Sequence, residues 1–157
     1  MRPCVIDARS VAAAHDTMVG MSQCHFGVYA RIVEDARMLC VRKTRGPYTG
    51  LLDLPGGRPE PGEYWEETLL RELTEELGVS SFTAKGLRRV EVHVTEDSRG
   101  NPIDFHHYGV VADVALADEL PPLVPASSDT GGCQWHRLDD LSGLSALALA
   151  AARPLRT

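Results

Sequence analysis

The segment from Gly57 to Val79 constrains this chain more than any other. It holds seven glutamates, Glu60, Glu63, Glu66, Glu67, Glu72, Glu75 and Glu76, against two arginines, Arg58 and Arg71, and so carries −5 of a net charge of −6 spread over 157 residues. Leu69, Leu70, Leu73 and Leu77 recur at three- and four-residue steps, which predicts a helix over about Tyr64 to Leu77 with one apolar stripe. Gly78 stands where a left-handed C-cap would end it. Stepping about 100° per residue puts Glu72, Glu75 and Glu76 together on one flank of that stripe, at i, i+3 and i+4. Three like charges so placed repel one another, and a hard divalent cation with oxygen ligands removes the conflict. The lead-in, Pro55-Gly56-Gly57, lets the backbone approach a ligand closely, and the Gly57 carbonyl is a natural further ligand.

Around this segment the pattern is that of one mixed α/β domain. Strands are expected at Cys24 to Val33, Met38 to Lys43, Leu51 to Leu54, Leu87 to Thr95, Phe105 to Leu116 and Cys133 to His136. Glu34 to Arg37 reads as a hairpin connection, and an Ala- and Leu-rich run predicts a closing helix over roughly Leu141 to Ala152. Residues 1–22 have no clean period and are read as an arm that makes a homodimer contact or covers the site, with one domain over 23–157. Apolar residues at 43% are enough for a packed core. The acidic balance argues against nucleic acid or a polybasic membrane contact, no run is long enough to span a membrane, and no secretory leader is evident, so the expected compartment is the cytoplasm. Cys4, Cys24, Cys40 and Cys133 stand singly and are expected to be buried, reduced thiols.

The run Gly57, five residues, Glu63, seven residues, Arg71-Glu72-Leu73-Thr74-Glu75-Glu76-Leu77-Gly78-Val79 resembles the Nudix box at every specified position. At average residue frequencies such a match arises by chance in fewer than roughly one chain in a million. The resemblance implies an α/β/α sandwich with a mixed β-sheet. It also implies hydrolysis, with Mg²⁺ or Mn²⁺, of a nucleoside diphosphate linked to another moiety. Carried over by position, Glu72, Glu75 and Glu76 are metal ligands, with Glu72 or a neighbour polarising the attacking water. Glu63 supports the water shell, Gly57 offers its carbonyl and Arg71 orients the glutamates. A further acid from a later loop fits Asp129 by its distance from Trp135, with Asp97 and Glu119 as rivals. In the MutT-like pattern a base after the second strand meets the phosphates, which fits Arg42 first and then Lys43. Trp135 and Tyr48 are candidates to stack on a base or pack inside, whereas Phe26 is expected in the core. His106 and His107 should face opposite sides of their strand.

The window Val94 to Asp97 holds neither the proline of ADP-ribose hydrolases nor the tyrosine of dinucleoside polyphosphate hydrolases. That favours a MutT-like nucleoside triphosphate pyrophosphohydrolase over ADP-ribose, nucleotide-sugar or dinucleotide hydrolysis. A non-catalytic nucleotide-binding regulator is the alternative from another class, although such proteins often lose the box glutamates that this chain retains.

Overall fold

A computed structural model describes residues 21–117, 119–120 and 130–153. The chain runs β1 (Gln23–Glu34), β2 (Arg37–Lys43), β3 (Leu52–Asp53), β4 (Gly56–Gly57), α1 (Trp65–Leu77), β5 (Phe82–Glu96), β6 (Pro102–Leu116), β7 (Thr130–Arg137) and α2 (Ala146–Ala152). The strand order is β3-β2-β1-β6-β5, with β4 added to β1 and β7 to β2. Strands β1 and β6 run parallel from Gln23 opposite Phe105 to Ile32 opposite Val114, and every other pairing is antiparallel. The mixed sheet is therefore present. Beyond the described residues lie most of the 1–22 arm and Asp129.

Alternation along the strands sorts the core into two halves. Val28, Ala30, Ile32, Ala112 and Val114 pack with Leu69, Leu73 and Leu77 of α1. Tyr29, Val90, Phe105 and Val111 pack with Leu147, Ala148 and Ala151 of α2. One helix lies on each face, which is the sandwich anticipated from the sequence. Asp35 and Ala36 both take positive φ, 47° and 57°, giving the two-residue β1–β2 turn whose twist suits adjoining strands.

Several elements differ from the sequence reading. The closing helix begins at Ala146, not near Leu141. The Asp140 carboxylate accepts from both the backbone N–H and the hydroxyl of Ser142, holding a turn, and Ser145 caps the helix by accepting from Ala148 N–H at 3.0 Å. Leu70 is 38% exposed, whereas Thr68 is buried. The buried face of α1 is thus rotated towards its glutamates, because Gly56–Gly57 packs along that flank. Phe26 is 47% exposed, against the expectation of a core position. It belongs to the α1 face of the sheet, but α1 packs on the later β1 residues Val28 to Ile32, not on it. Cys40 and Cys133 are free and buried, but Cys24 is disulfide-bonded, so the reading of four reduced thiols fails there. Among the described residues no helix is long and apolar enough to cross a membrane.

Candidate active site

A cavity of about 680 Å³ opens between α1, the β4 turn and the sheet, with Glu72, Glu76 and Arg71 on one side and Tyr29, Tyr48, Phe105 and His107 on the other. The acidic side is built by close approach. The Glu72 carboxylate lies so near Gly57 that a Cβ there would stand 2.4 Å from its Oε1. Gly56 takes φ 137° and donates its N–H to Glu76 Oε2 at 2.9 Å. Glycine at both positions is what lets β4 pass between β1 and the glutamates.

Arg71 organises this flank. Its Nε and Nη2 donate to the two Glu63 oxygens at 2.7 and 3.0 Å, its Nη1 donates to Glu72 Oε1 at 2.8 Å, and Nη2 also reaches the Arg58 carbonyl at 3.0 Å. Glu63 in turn accepts from Glu60 N–H and the Thr68 hydroxyl. Its carboxyl is held down at about 2, chiefly by the Arg71 hydrogen bonds. So Glu63 is committed to Arg71, and through Arg71 it fixes the pose of Glu72. Glu75 stands at the rim, 61% exposed and 3.8 Å from Arg71 Nη1.

The electrostatics of the pair Glu72 and Glu76 are unfavourable as they stand. Burial pushes the Glu76 carboxyl up to about 8, partly offset by the Gly56 hydrogen bond and reinforced by the Glu72 charge. Burial also raises Glu72, against the pull of Arg71. Two carboxylates in one partly desolvated cavity are a donor set made for a hard divalent cation, which supplies the missing positive charge and accepts oxygen ligands. Glu72 and Glu76 would supply oxygen ligands to such an ion, Gly57 lines the same cavity, and Glu75 stands outside its lining.

Buried Asp53 was not singled out from the sequence. It lines the same cavity, is 2% exposed, and accepts from Ser145 Oγ at 2.6 Å and Leu54 N–H at 2.9 Å. Burial raises its carboxyl above the ordinary range. An acid in a two-residue strand carries no periodic signal; the only hint was a charge inside the apolar run Leu51 to Leu54.

The opposite wall was also missed in part. His107 is 2% exposed and is held between Tyr29 Oη at 2.7 Å from Nε2 and Tyr48 Oη at 3.0 Å from Nδ1. Burial pushes its pKa down to about 3, with His25 and Lys43 adding to the effect. A neutral imidazole has one N–H and one lone pair, so one tyrosine donates to the ring and the other accepts from it. The accepting tyrosine keeps its own O–H free to donate. His25 and Phe105 pack edge-on and tilted against the same ring. The expectation that His106 and His107 face opposite ways holds, but His107 has partners that the sequence did not disclose.

Among the predicted substrate contacts, Lys43 lines the cavity together with Arg45 and Arg58, while Arg42 does not. Arg42 donates instead to the Gly50 carbonyl at 2.8 Å and to Gln134 at 3.3 Å. Neighbours on a strand point to opposite faces, so only one of the two bases can enter. Trp135 packs on the α1 half of the core with Arg37 5.6 Å above its ring, away from the cavity. Asp97 caps its own turn, accepting from Arg99 and Asn101 N–H, and Glu119 is exposed.

Residues 22–156 match the family profile described as the NUDIX domain. The chain belongs to the Nudix family. It is 29% identical over 114 residues to an ADP-ribose pyrophosphatase of Methanocaldococcus jannaschii, a match covering 73% of this chain and 62% of that relative. The chain therefore spans less than two thirds of the curated protein's length. Among solved structures it resembles a MutT Nudix hydrolase of Burkholderia pseudomallei, with a TM-score of 0.57 and 28% identity over 83% of this chain and 96% of that one. A MutT protein of Methanosarcina mazei shares the fold, with a TM-score of 0.60 and 22% identity over 83% and 89% of the two chains. Nudix membership makes the Gly57–Val79 segment the family's box, lying on the cavity just described.

Proposed function

We propose that this Nudix domain hydrolyses a phosphoanhydride bond in a nucleoside diphosphate derivative, using Mg²⁺ or Mn²⁺ held at Glu72, Glu76, Glu75 and the Gly57 carbonyl. The observation that carries the reading is the pairing of Glu72 and Glu76 in one cavity, both with carboxyl pKa raised by burial in spite of the Arg71 hydrogen bond to Glu72 and the nearby Lys43 charge. When bound, such an ion shields phosphate oxygens and lowers the pKa of a coordinated water. The chain's own residues supply the rest. Arg71 and Glu63 fix Glu72, and Lys43, Arg45 and Arg58 offer positive charge to the phosphates. The aromatic wall receives the organic part of the substrate, with a tyrosine O–H as a polar contact. Asp129 is retained as the further acid and is tested by Asp129→Asn.

Two substrate classes remain in view. The name of the M. jannaschii relative supports a nucleoside diphosphate joined to a sugar, and the missing proline marker supports a nucleoside triphosphate. A panel of both classes with Mg²⁺ or Mn²⁺ and product identification by mass spectrometry tests the proposal. Nucleoside monophosphate with ribose 5-phosphate marks the first class, and nucleoside monophosphate with pyrophosphate marks the second. Nucleotide binding without hydrolysis anywhere in the panel would replace the enzyme reading with that of a regulator.

A further inference from the structure

On the α1 face of the sheet, opposite the face that presents Phe105 and His107 to the cavity, His93, Asp104 and His106 bring three ligand-type atoms within 4.8 Å of one another. His93 and His106 are directly opposed on β5 and β6, and Asp104 lies two residues before His106, so all three side chains share one face. Phe105 and His107, which line the cavity, point the other way. The two imidazole rings stack with centroids 4.2 Å apart and planes 9° from parallel. Both Nε2 atoms face the same carboxylate oxygen, Asp104 Oδ1, at 2.7 Å from His93 and 3.2 Å from His106. The group is open to solvent, at 50%, 46% and 30% side-chain exposure for His93, Asp104 and His106.

We propose that His93, Asp104 and His106 form a second metal site, separate from the box, that takes a divalent transition ion of the zinc class. Zinc bound at about 2.0–2.1 Å in a tetrahedron keeps its ligand atoms roughly 3.3 Å apart. One separation, 3.2 Å between His106 Nε2 and Asp104 Oδ1, already lies close to that value, the 2.7 Å contact of His93 has to open, and all three atoms lie within 4.8 Å of one another. Imidazole ligands select Zn²⁺, Cu²⁺ or Ni²⁺, whereas Mg²⁺ prefers all-oxygen surroundings. The two sites are thereby sorted by chemistry: oxygen donors at the box, two nitrogens and one oxygen here. Uptake replaces the two contacts to Asp104 Oδ1, and each ring presents its Nε2 lone pair while its proton sits on Nδ1. With three protein ligands, a fourth position is left to water. The ion would tie β5 to β6 near the turn end of their long hairpin.

The test is a calorimetric titration of the full chain with zinc chloride in millimolar Mg²⁺, which keeps the box occupied by its preferred ion. The expected result is uptake of about one equivalent and a rise in Tm, with affinity falling at least about tenfold in His93→Ala and in His106→Ala. Glu76→Gln should retain the uptake. Nitrogen-detected NMR of the unaltered protein gives an independent reading: zinc should move the Nε2 resonances of His93 and His106 and leave those of His107 in place. Absence of zinc uptake, or full uptake by the His93→Ala/His106→Ala double variant, overturns the site.

Discussion

The two walls of the cavity are built in opposite ways. The acidic wall comes from one short stretch of chain, in which Gly57, Glu63, Arg71, Glu72 and Glu76 all lie within 20 residues. Its geometry follows from helix periodicity and a glycine turn. The aromatic wall takes Tyr29 from β1, Tyr48 from the loop after β2 and His107 from β6, separated by up to 78 residues and joined only by the fold. The acidic wall is also electrostatically strained, with two raised carboxyls, while the aromatic wall is satisfied by its own hydrogen bonds. A strained wall is one whose conflict an ion or substrate can relieve, so it is suited to chemistry. A satisfied wall is suited to holding a shape.

That difference predicts which kinetic constant each wall controls. Glu76→Gln should lower kcat by roughly 10³, since metal-borne stabilisation is worth several kcal/mol. Its metal-free Tm at pH 7 should not fall, because a carboxyl raised to about 8 is already mostly neutral there and the glutamine carbonyl can still accept from Gly56 N–H. Unaltered turnover in a steady-state assay would break the assignment of the acidic wall to chemistry. Arg71→Ala should cost on the order of 100-fold in kcat and also lower Tm, as it leaves Glu63 and Glu72 without their shared partner. Arg71→Lys should recover only part of both losses, because an ammonium cannot reproduce the forked contact to Glu63.

The same contrast explains what could be read from the sequence. Box spacing on a helix reports side-chain geometry directly, and the strand and turn signals gave the sheet and its hairpins in nearly the right places. Leu70 and Phe26 misled because hydrophobicity does not say which flank a neighbouring loop or helix will cover. Asp53 and His107 could not be found by local pattern. Their neighbours, Ser145 and the two tyrosines, are brought to them from 92, 78 and 59 residues away. Arg42 and Lys43 are adjacent, and choosing between them required knowing which face of β2 met the cavity.

Acid should expose the aromatic wall's dependence on a neutral ring. In the unfolded chain His107 takes a proton near pH 6.5, while in the fold its pKa is pushed down to about 3. Between those values the unfolded state binds more protons, so this residue's contribution is complete above pH 6.5 and is lost as pH falls towards 3. The loss is on the order of 2 kcal/mol at pH 5. Urea unfolding of the natural chain and His107→Gln at pH 7 and pH 5 measures it, and the variant should lose less stability on acidification. Parallel behaviour of the two proteins would mean that the ring is not held neutral between Tyr29 and Tyr48.

The smallest predicted effect separates two neighbouring bases. Lys43 lines the cavity and lies close enough to Asp53, Glu72, Glu76 and His107 to influence the charge of each. Lys43→Ala should raise KM for a nucleotide substrate by about fivefold to tenfold, since a partly screened cation–phosphate contact is worth roughly 1 kcal/mol. Arg42 spends its guanidinium on Gly50 and Gln134 at the edge of β2, so Arg42→Ala should leave KM unchanged and reduce Tm slightly. The reverse result, with KM following Arg42, would mean that substrate binding turns this strand's edge towards the phosphates. The placement of the basic residues would then depend on the bound state, unlike that of Glu72 and Glu76, whose positions are fixed by Arg71 and Gly56 before any ligand arrives.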